Sequence, residues 1–335
     1  MKISASIYSD KKRPLKEVIR DLVDHQVDIL HVDCNDDLTV FDDIRSIRSW
    51  CSLPIDLHII TEDPRKYMDL LIRYPVEYVT FQLEPLKYPL VFPNEITGKK
   101  GLAIVTPTSI DQFDVYASEM DFVLLMATVP GQSGGVFDSL NFSKIRSFQR
   151  KHPSKSIHVD GGVNGEVSFI LRNMGVSSSV SGSYLFNEAS VGQALMNLTK
   201  RNLESQFLVR DFMIPLSECP VISESELTFE SVLTVVENGK LGFCIVLGES
   251  NRFIGLISNA DIRRGLLRNL KQLNDFSVND FVNTNVVGLE DTFTVNRMLQ
   301  ELKLHDFPIS YFPVWDKDKI SVGIITFVNL IKGEL

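Results

Sequence analysis

Short apolar or alternating runs recur along the first part of the chain, each followed by a stretch with helical spacing. The runs cover residues 2–8, 29–33, 55–61, 78–84, 101–106, 122–128, 157–163 and 178–183. Between them lie segments such as 14–27, where Leu15, Val18, Ile19, Leu22 and Val23 fall on one helical face, and 64–74. After 78–84 the pattern offers only a short turn around 94–97. Eight strands alternating with helices predict a parallel α/β fold, and eight is the number that closes a TIM (β/α)8 barrel. The competitor is an open doubly wound sheet, but the G-x-G-x-x-G that usually follows its first strand is absent. The barrel is expected over residues 1–203.

Beyond Leu203 the pattern changes and begins to repeat. Val209-Arg210-Asp211-Phe212 recurs as Val278-Asn279-Asp280-Phe281. Gly255-Leu256-Ile257-Ser258 recurs, at almost the same offset, as Gly323-Ile324-Ile325-Thr326. Two anchors at nearly one spacing indicate an internal duplication. Each copy carries a helical stretch (227–237; 294–304) followed by strand-like runs. Residues 206–335 therefore read as an α+β module of two repeats, about 206–270 and 275–335. The charged and polar segment 200–205 is the expected junction.

Side chains alternate across a strand, so residues two apart share a face. His31 and Asp33 form such a pair, leaving Leu30 and Val32 for the surrounding helices. Asp56 with His58, and His158 with Asp160, repeat the arrangement. Ser4 and Ser6 share a face of the first strand, as do Thr80, Gln82 and Glu84 of the fourth. A barrel interior is ordinarily filled by Val, Ile and Leu, so polar groups there must be paired or metal-bound. The spacing leaves two arrangements open. One is a divalent metal held by His31, Asp33, His58 and Asp160, whose mixed nitrogen and oxygen donors suit zinc, iron or manganese better than magnesium. The other is a hydrogen-bonded His–Asp network without metal. Of the remaining histidines, His25 and His305 fall in helical stretches, His152 in a basic turn, and His158 reads as a packed core residue.

Three glycine turns follow the last strands: Pro130-Gly131-Gln132-Ser133-Gly134-Gly135, Asp160-Gly161-Gly162-Val163 and Val180-Ser181-Gly182-Ser183. Glycine lets backbone N–H groups approach an anion, and the loops after strands seven and eight are the usual phosphate seat of such barrels. One such turn is unremarkable; three on one rim favour a phosphorylated small molecule.

Bulk properties exclude several alternatives. The 335 residues are 44% hydrophobic and 23% charged, an ordinary globular balance with room for two cores. A net charge of −9 opposes a nucleic-acid or anionic-membrane partner, since both need a basic face. The four cysteines are scattered without a C-x-x-C pair, as expected of structural thiols in a reducing cytosol. The start lacks the apolar core of a secretory signal, and no apolar stretch approaches the ~20 residues that span a bilayer. A cytoplasmic protein, forming homo-oligomers, is expected.

These residues resemble the ribulose-phosphate 3-epimerase family along 1–198. The likeness runs through Ser6-Ile7, Leu30-His31-Val32-Asp33, Asp56-Leu57-His58, Thr80-Phe81-Gln82-Leu83-Glu84, Gly101-Leu102-Ala103-Ile104, Val159-Asp160-Gly161-Gly162-Val163 and Val180-Ser181-Gly182-Ser183. The resemblance implies that His31, Asp33, His58 and Asp160 hold one divalent metal and that Asp33 and Asp160 serve as acid and base. It further implies that Ser6 and His58 contact substrate while Gly134, Gly135, Gly161, Gly162, Gly182 and Ser183 surround its phosphate. The implied reaction inverts carbon 3 of a ketose phosphate through an enediolate. That chemistry needs a base on each face, supplied here by strands two and seven, far apart in the sheet order. The chain departs from the family at Cys34-Asn35-Asp36-Asp37, at Ile60 in place of a methionine, at Gln82 in place of a histidine, and in loop 131–134. The same chemistry on another sugar phosphate, such as one of a surface-polysaccharide pathway, is the nearest alternative. A nucleotide-sensing protein with a non-catalytic barrel is the more distant one.

The two repeats resemble CBS motifs, which pair into one nucleotide-binding module. The first carries Gly255-Leu256-Ile257-Ser258-Asn259-Ala260-Asp261, the second Thr326-Phe327-Val328-Asn329. The resemblance implies an adenine nucleotide at Ser258, Asp261 and Thr326, regulating the barrel, or a tail that only dimerises.

Overall fold

The computed structural model describes residues 1–131, 134–199, 207–269, 277–305 and 309–327. All eight expected strands form: β1 (Lys2–Ser6), β2 (Ile29–Asn35), β3 (Ile55–Ile60), β4 (Tyr78–Gln82), β5 (Lys99–Val105), β6 (Phe122–Met126), β7 (Ser156–Asp160) and β8 (Ser178–Ser181). Every neighbouring pair is parallel, and β8 returns to pair with β1, closing the barrel. Residues such as Leu30, Val32, Leu57, Ile59, Val79 and Phe81 are fully buried on its outer face. Covering that face are α1 (Leu15–Asp24), α2 (Val40–Trp50), α3 (Met68–Arg73), α4 (Leu140–Lys151), α5 (Gly165–Asn173), α6 (Ser183–Asn187) and α7 (Val191–Thr199). Among the described residues no helix separates β4 from β5, in keeping with the weak pattern there.

Closure corrects one expectation. Strands two and seven are distant along the chain, but in the closed sheet only β8 and β1 stand between them. Asp33 and Asp160 are thereby brought to one mouth.

Inside the barrel the two halves differ. Ala103, Phe122, Leu124 and Met126 of β5 and β6 make an apolar wall. Ser4, His31, Asp56, His58, Thr80, Gln82 and His158 on the remaining strands are buried polar groups.

The second unit is built from α8 (Val209–Phe212), β9 (Ile214–Pro215), β10 (Val221–Ser223), α9 (Phe229–Gly239), β11 (Phe243–Leu247), β12 (Phe253–Ser258), α10 (Asn259–Asn269), β13 (Leu289–Glu290), α11 (Val295–Lys303), β14 (Tyr311–Trp315) and β15 (Ser321–Thr326). Its duplication is explicit. β10, β11 and β12 begin at Val221, Phe243 and Phe253, and β13, β14 and β15 begin at Leu289, Tyr311 and Ser321, so one offset relates all three pairs. In both copies a parallel pair is followed by an antiparallel one. The copies interlock: β9 of the first adds to β15 of the second, and the Phe243 and Tyr311 rings lie 4.7 Å apart. The expected junction 200–205 lies outside the described residues. Histidine placement is corrected in detail. His25 caps the end of α1 and His305 follows α11, because both helices end before them, while His152 follows α4 in keeping with the expected turn.

Candidate active site

The alternation read from sequence delivers His31 and Asp33 from β2, His58 from β3 and Asp160 from β7 into one cluster. One donor atom from each lies within 4.8 Å of all the others. His31 Nε2 is 3.3 Å from Asp33 Oδ1 and 3.8 Å from Asp160 Oδ2, and His58 Nδ1 is 3.5 Å from Asp33 Oδ1. Both imidazoles are fully buried, while the carboxylates keep some exposure at the mouth.

The outer nitrogen of each ring is engaged. His31 Nδ1 meets Asp56 Oδ2 at 3.0 Å, and His58 Nε2 meets Gln82 Oε1 at 2.9 Å. Asp56, fully buried, also accepts from Ser4 Oγ at 3.3 Å. His58 Nδ1 is buried, faces the cluster and has no hydrogen-bond partner. An imidazole nitrogen aimed without a partner at two carboxylates and a second imidazole is a donor set that fits a divalent cation.

Electrostatics separates the two aspartates. Burial pushes Asp160 up, and with the Asp33 charge beside it outweighs the pull of His31 and His58, leaving its pKa at about 6. Burial acts on Asp33 too, yet the charge and hydrogen bond of His31, with the charge of His58, win and hold it well below the usual carboxylate range. His31 is shifted well upward: burial opposes its charged form, but Asp33 and Asp56 together prevail. Two carboxylates in one buried site are thus shifted in opposite directions. His158 packs beneath, stacked on Phe122 at 4.1 Å, and burial lowers its pKa to about 4.

Around this cluster the rim assembles. Ser6 lies at the end of β1, and Ser9 Oγ donates to Ser6 Oγ at 3.1 Å. A Cβ on Gly182 would sit 2.2 Å from Ser9 Oγ and 3.2 Å from Ser6 Cβ, so the turn after β8 abuts the end of β1. Gly161 (φ +109°) and Gly162 (φ +66°) occupy the left-handed region. A Cβ on Gly161 would meet Thr128 Oγ1 at 2.2 Å, and one on Gly162 would meet the Phe137 backbone nitrogen at 2.2 Å. Gly135 packs against the same Thr128, whereas Gly134 has open space around it. Ser183 opens α6. Gln132 and Ser133 lie outside the described residues.

In the second unit Asp261 Oδ2 accepts from the Ser258 amide at 2.9 Å and from Ser258 Oγ at 2.5 Å, while Arg264 pairs with Oδ1 at 2.6 Å. Thr326 ends β15, and Val328 and Asn329 lie outside the described residues. Sequence reasoning passes over Asp56 and Gln82 as partners of the histidines and Arg264 as partner of Asp261. The shared strand face signals the first two, and the helical i, i+3 spacing signals the third.

Against known sequences, the model of the ribulose-phosphate 3 epimerase family matches residues 2–186, more than half of the chain. The chain belongs to that family. It is accordingly an enzyme of the isomerase class, an epimerase. Curated ribulose-phosphate 3-epimerases that resemble it include that of Methanocaldococcus jannaschii, 29% identical over 228 residues (64% of this chain, 95% of the relative), and that of Bacillus subtilis, 25% identical over 212 residues (59% and 98%). Among solved structures, CBSX2 in complex with AMP covers 38% of this chain and 96% of its own length at 22% identity and a TM-score of 0.32. The CBS-pair protein CBSX2 from Arabidopsis thaliana covers 38% and 94% at 20% and 0.31. Among the described residues no helix is long and apolar enough to cross a membrane.

Proposed function

We propose that the barrel inverts carbon 3 of a ketose phosphate, ribulose 5-phosphate and xylulose 5-phosphate being the reference pair, with one zinc, iron or manganese ion held by His31, Asp33, His58 and Asp160. The observation that carries this reading is the convergence of those four donors at the barrel mouth. A divalent ion bound there would act as a Lewis acid toward substrate oxygens, stabilising the negative charge that develops as the proton leaves carbon. Asp33, held ionised, takes the proton from one face. Asp160, whose carboxyl burial and the neighbouring carboxylate push up to about 6, is the better placed of the two to return one on the other, and the roles exchange in the reverse reaction. Ser6 orients the sugar. The backbone of the turns at Gly161–Gly162 and Gly182–Ser183, with Gly134 and Gly135, seats the phosphate. The apolar wall of Ala103, Leu124 and Met126 excludes water from one side.

Asn35, exposed and two residues beyond Asp33 on the same strand face, puts an amide at the mouth, so the panel of substrates includes other ketose phosphates. The second unit is a CBS pair that takes an adenine nucleotide at Ser258, Asp261 and Thr326. The test is a panel of ketose phosphates in deuterated water. Deuterium should enter at carbon 3 of one substrate, with about one equivalent of metal per chain. Absence of exchange on every phosphorylated ketose overturns the reading.

A further inference from the structure

We infer that Glu84 and Gln82 are positioning residues that set the tautomer of His58 and so present its Nδ1 lone pair to the metal; the inference rests on the metal reading above. Gln82 is 2% exposed and lies on the strand face of β4 that points at His58. Its side-chain amide could in principle turn either end to the histidine. One end, Nε2, stands 2.5 Å from Glu84 Oε2 and 3.3 Å from the Ala103 carbonyl oxygen. A carboxylate and a carbonyl only accept, so that end of the amide has to be the donor. The carbonyl end Oε1 then faces His58 Nε2 at 2.9 Å. Because an amide oxygen only accepts, His58 Nε2 has to carry the proton, and Nδ1 is left with a lone pair directed into the cluster.

Glu84 is itself held in place. Its Oε1 accepts from the Val105 amide at 2.9 Å and from Thr108 Oγ1 at 2.6 Å. The same loop is clamped by α4, where Lys144 Nζ donates to the carbonyl oxygens of Val105 at 2.5 Å and Thr108 at 2.6 Å. A continuous run of hydrogen bonds therefore connects a buried lysine on α4 to the face that His58 shows the cation.

Nitrogen-15 shifts of the His58 ring, read on the metal-free full-length protein, test this without activity or metal. The wild type should show the Nε2–H form alone, and an Nδ1–H population there would overturn the proposal outright. Glu84→Gln removes the closer of the two acceptors that fix the amide and leaves only the Ala103 carbonyl oxygen at 3.3 Å, so Nδ1–H should emerge and zinc affinity, measured by chelator competition, should fall about tenfold. Gln82→His can accept from His58 with one nitrogen and donate to Glu84 with the other, and should keep both the tautomer and the affinity. Glu84→Gln with an unchanged tautomer and unchanged affinity sinks the proposal. Failure of the wild type to bind any divalent metal would instead refute the metal reading, while the nitrogen shifts still decide the tautomer.

Discussion

At the scale of single residues the site is a problem of burying charge. Four ionisable groups share a pocket in which each alone would be costly, and their mutual attraction lets only some of them stay charged. Asp33 and Asp160 have the same side chain, yet one is held ionised and the other retains its proton to about pH 6. That difference predicts distinct roles but equal need. Asp33→Asn and Asp160→Asn should each leave a folded barrel with turnover reduced by about 10²- to 10⁴-fold, the usual contribution of a proton-transfer group. Steady-state rates beside a circular-dichroism melt check it; full turnover by either variant excludes the two-base mechanism. These residues are legible in the sequence because a His-x-Asp pair on an otherwise apolar strand must be paired or metal-bound once it is buried. Asp56 is visible in the same pattern, but its role is not. Whether it pairs with His31 or His58 depends on the stagger between β2 and β3, which sets His31 opposite Asp56 and Asp33 opposite His58.

At the scale of elements, the proposed anion site falls on loops and not on strands. Glycines follow directly on β7 and β8, and two of these, Gly161 and Gly162, need backbone conformations that a side chain resists. Gly162→Ala would place a methyl group against the Phe137 backbone nitrogen, which cannot swing away as a side-chain tip can. Destabilisation of about 2 kcal/mol or more should follow, from the left-handed conformation and the clash together. KM for the phosphorylated substrate should rise with it. Urea melts and KM values check both parts, and an unchanged KM would remove this turn from the phosphate site. Strand periodicity locates all eight strands closely. It supplies no helix between β4 and β5, and the structure has none among the described residues there, since 83–98 lack a continuous apolar face. The glycine turns are equally plain. That the turn after β8 abuts Ser6 and Ser9 is not, because the contact joins the two ends of the barrel sequence.

For the whole molecule, the chain carries a duplicated unit in addition to a complete barrel, and that unit shares none of the residues of the barrel's site. Its Ser258–Asp261 turn, the proposed nucleotide site, is held by internal hydrogen bonds and by Arg264. Calorimetry of the intact protein with AMP, ADP and ATP should give heat for at least one, abolished by Asp261→Ala. A ligand at 100 times its Kd should also stabilise the unit by about 2.7 kcal/mol, read as a shifted melt. No heat from any of the three overturns the nucleotide reading.

What the chain determined alone follows from local rules. Period-2 and period-3.6 patterns set the order of elements, glycine placed the turns, and two anchors repeated at almost one offset announced the duplication. Closure of the barrel decided the rest. Only when β8 pairs with β1 do Asp33 and Asp160, from opposite ends of the barrel sequence, come together in one cluster. Only the stagger between strands assigns each histidine its partner. Such relations are non-local, and no property of a short window along the chain contains them.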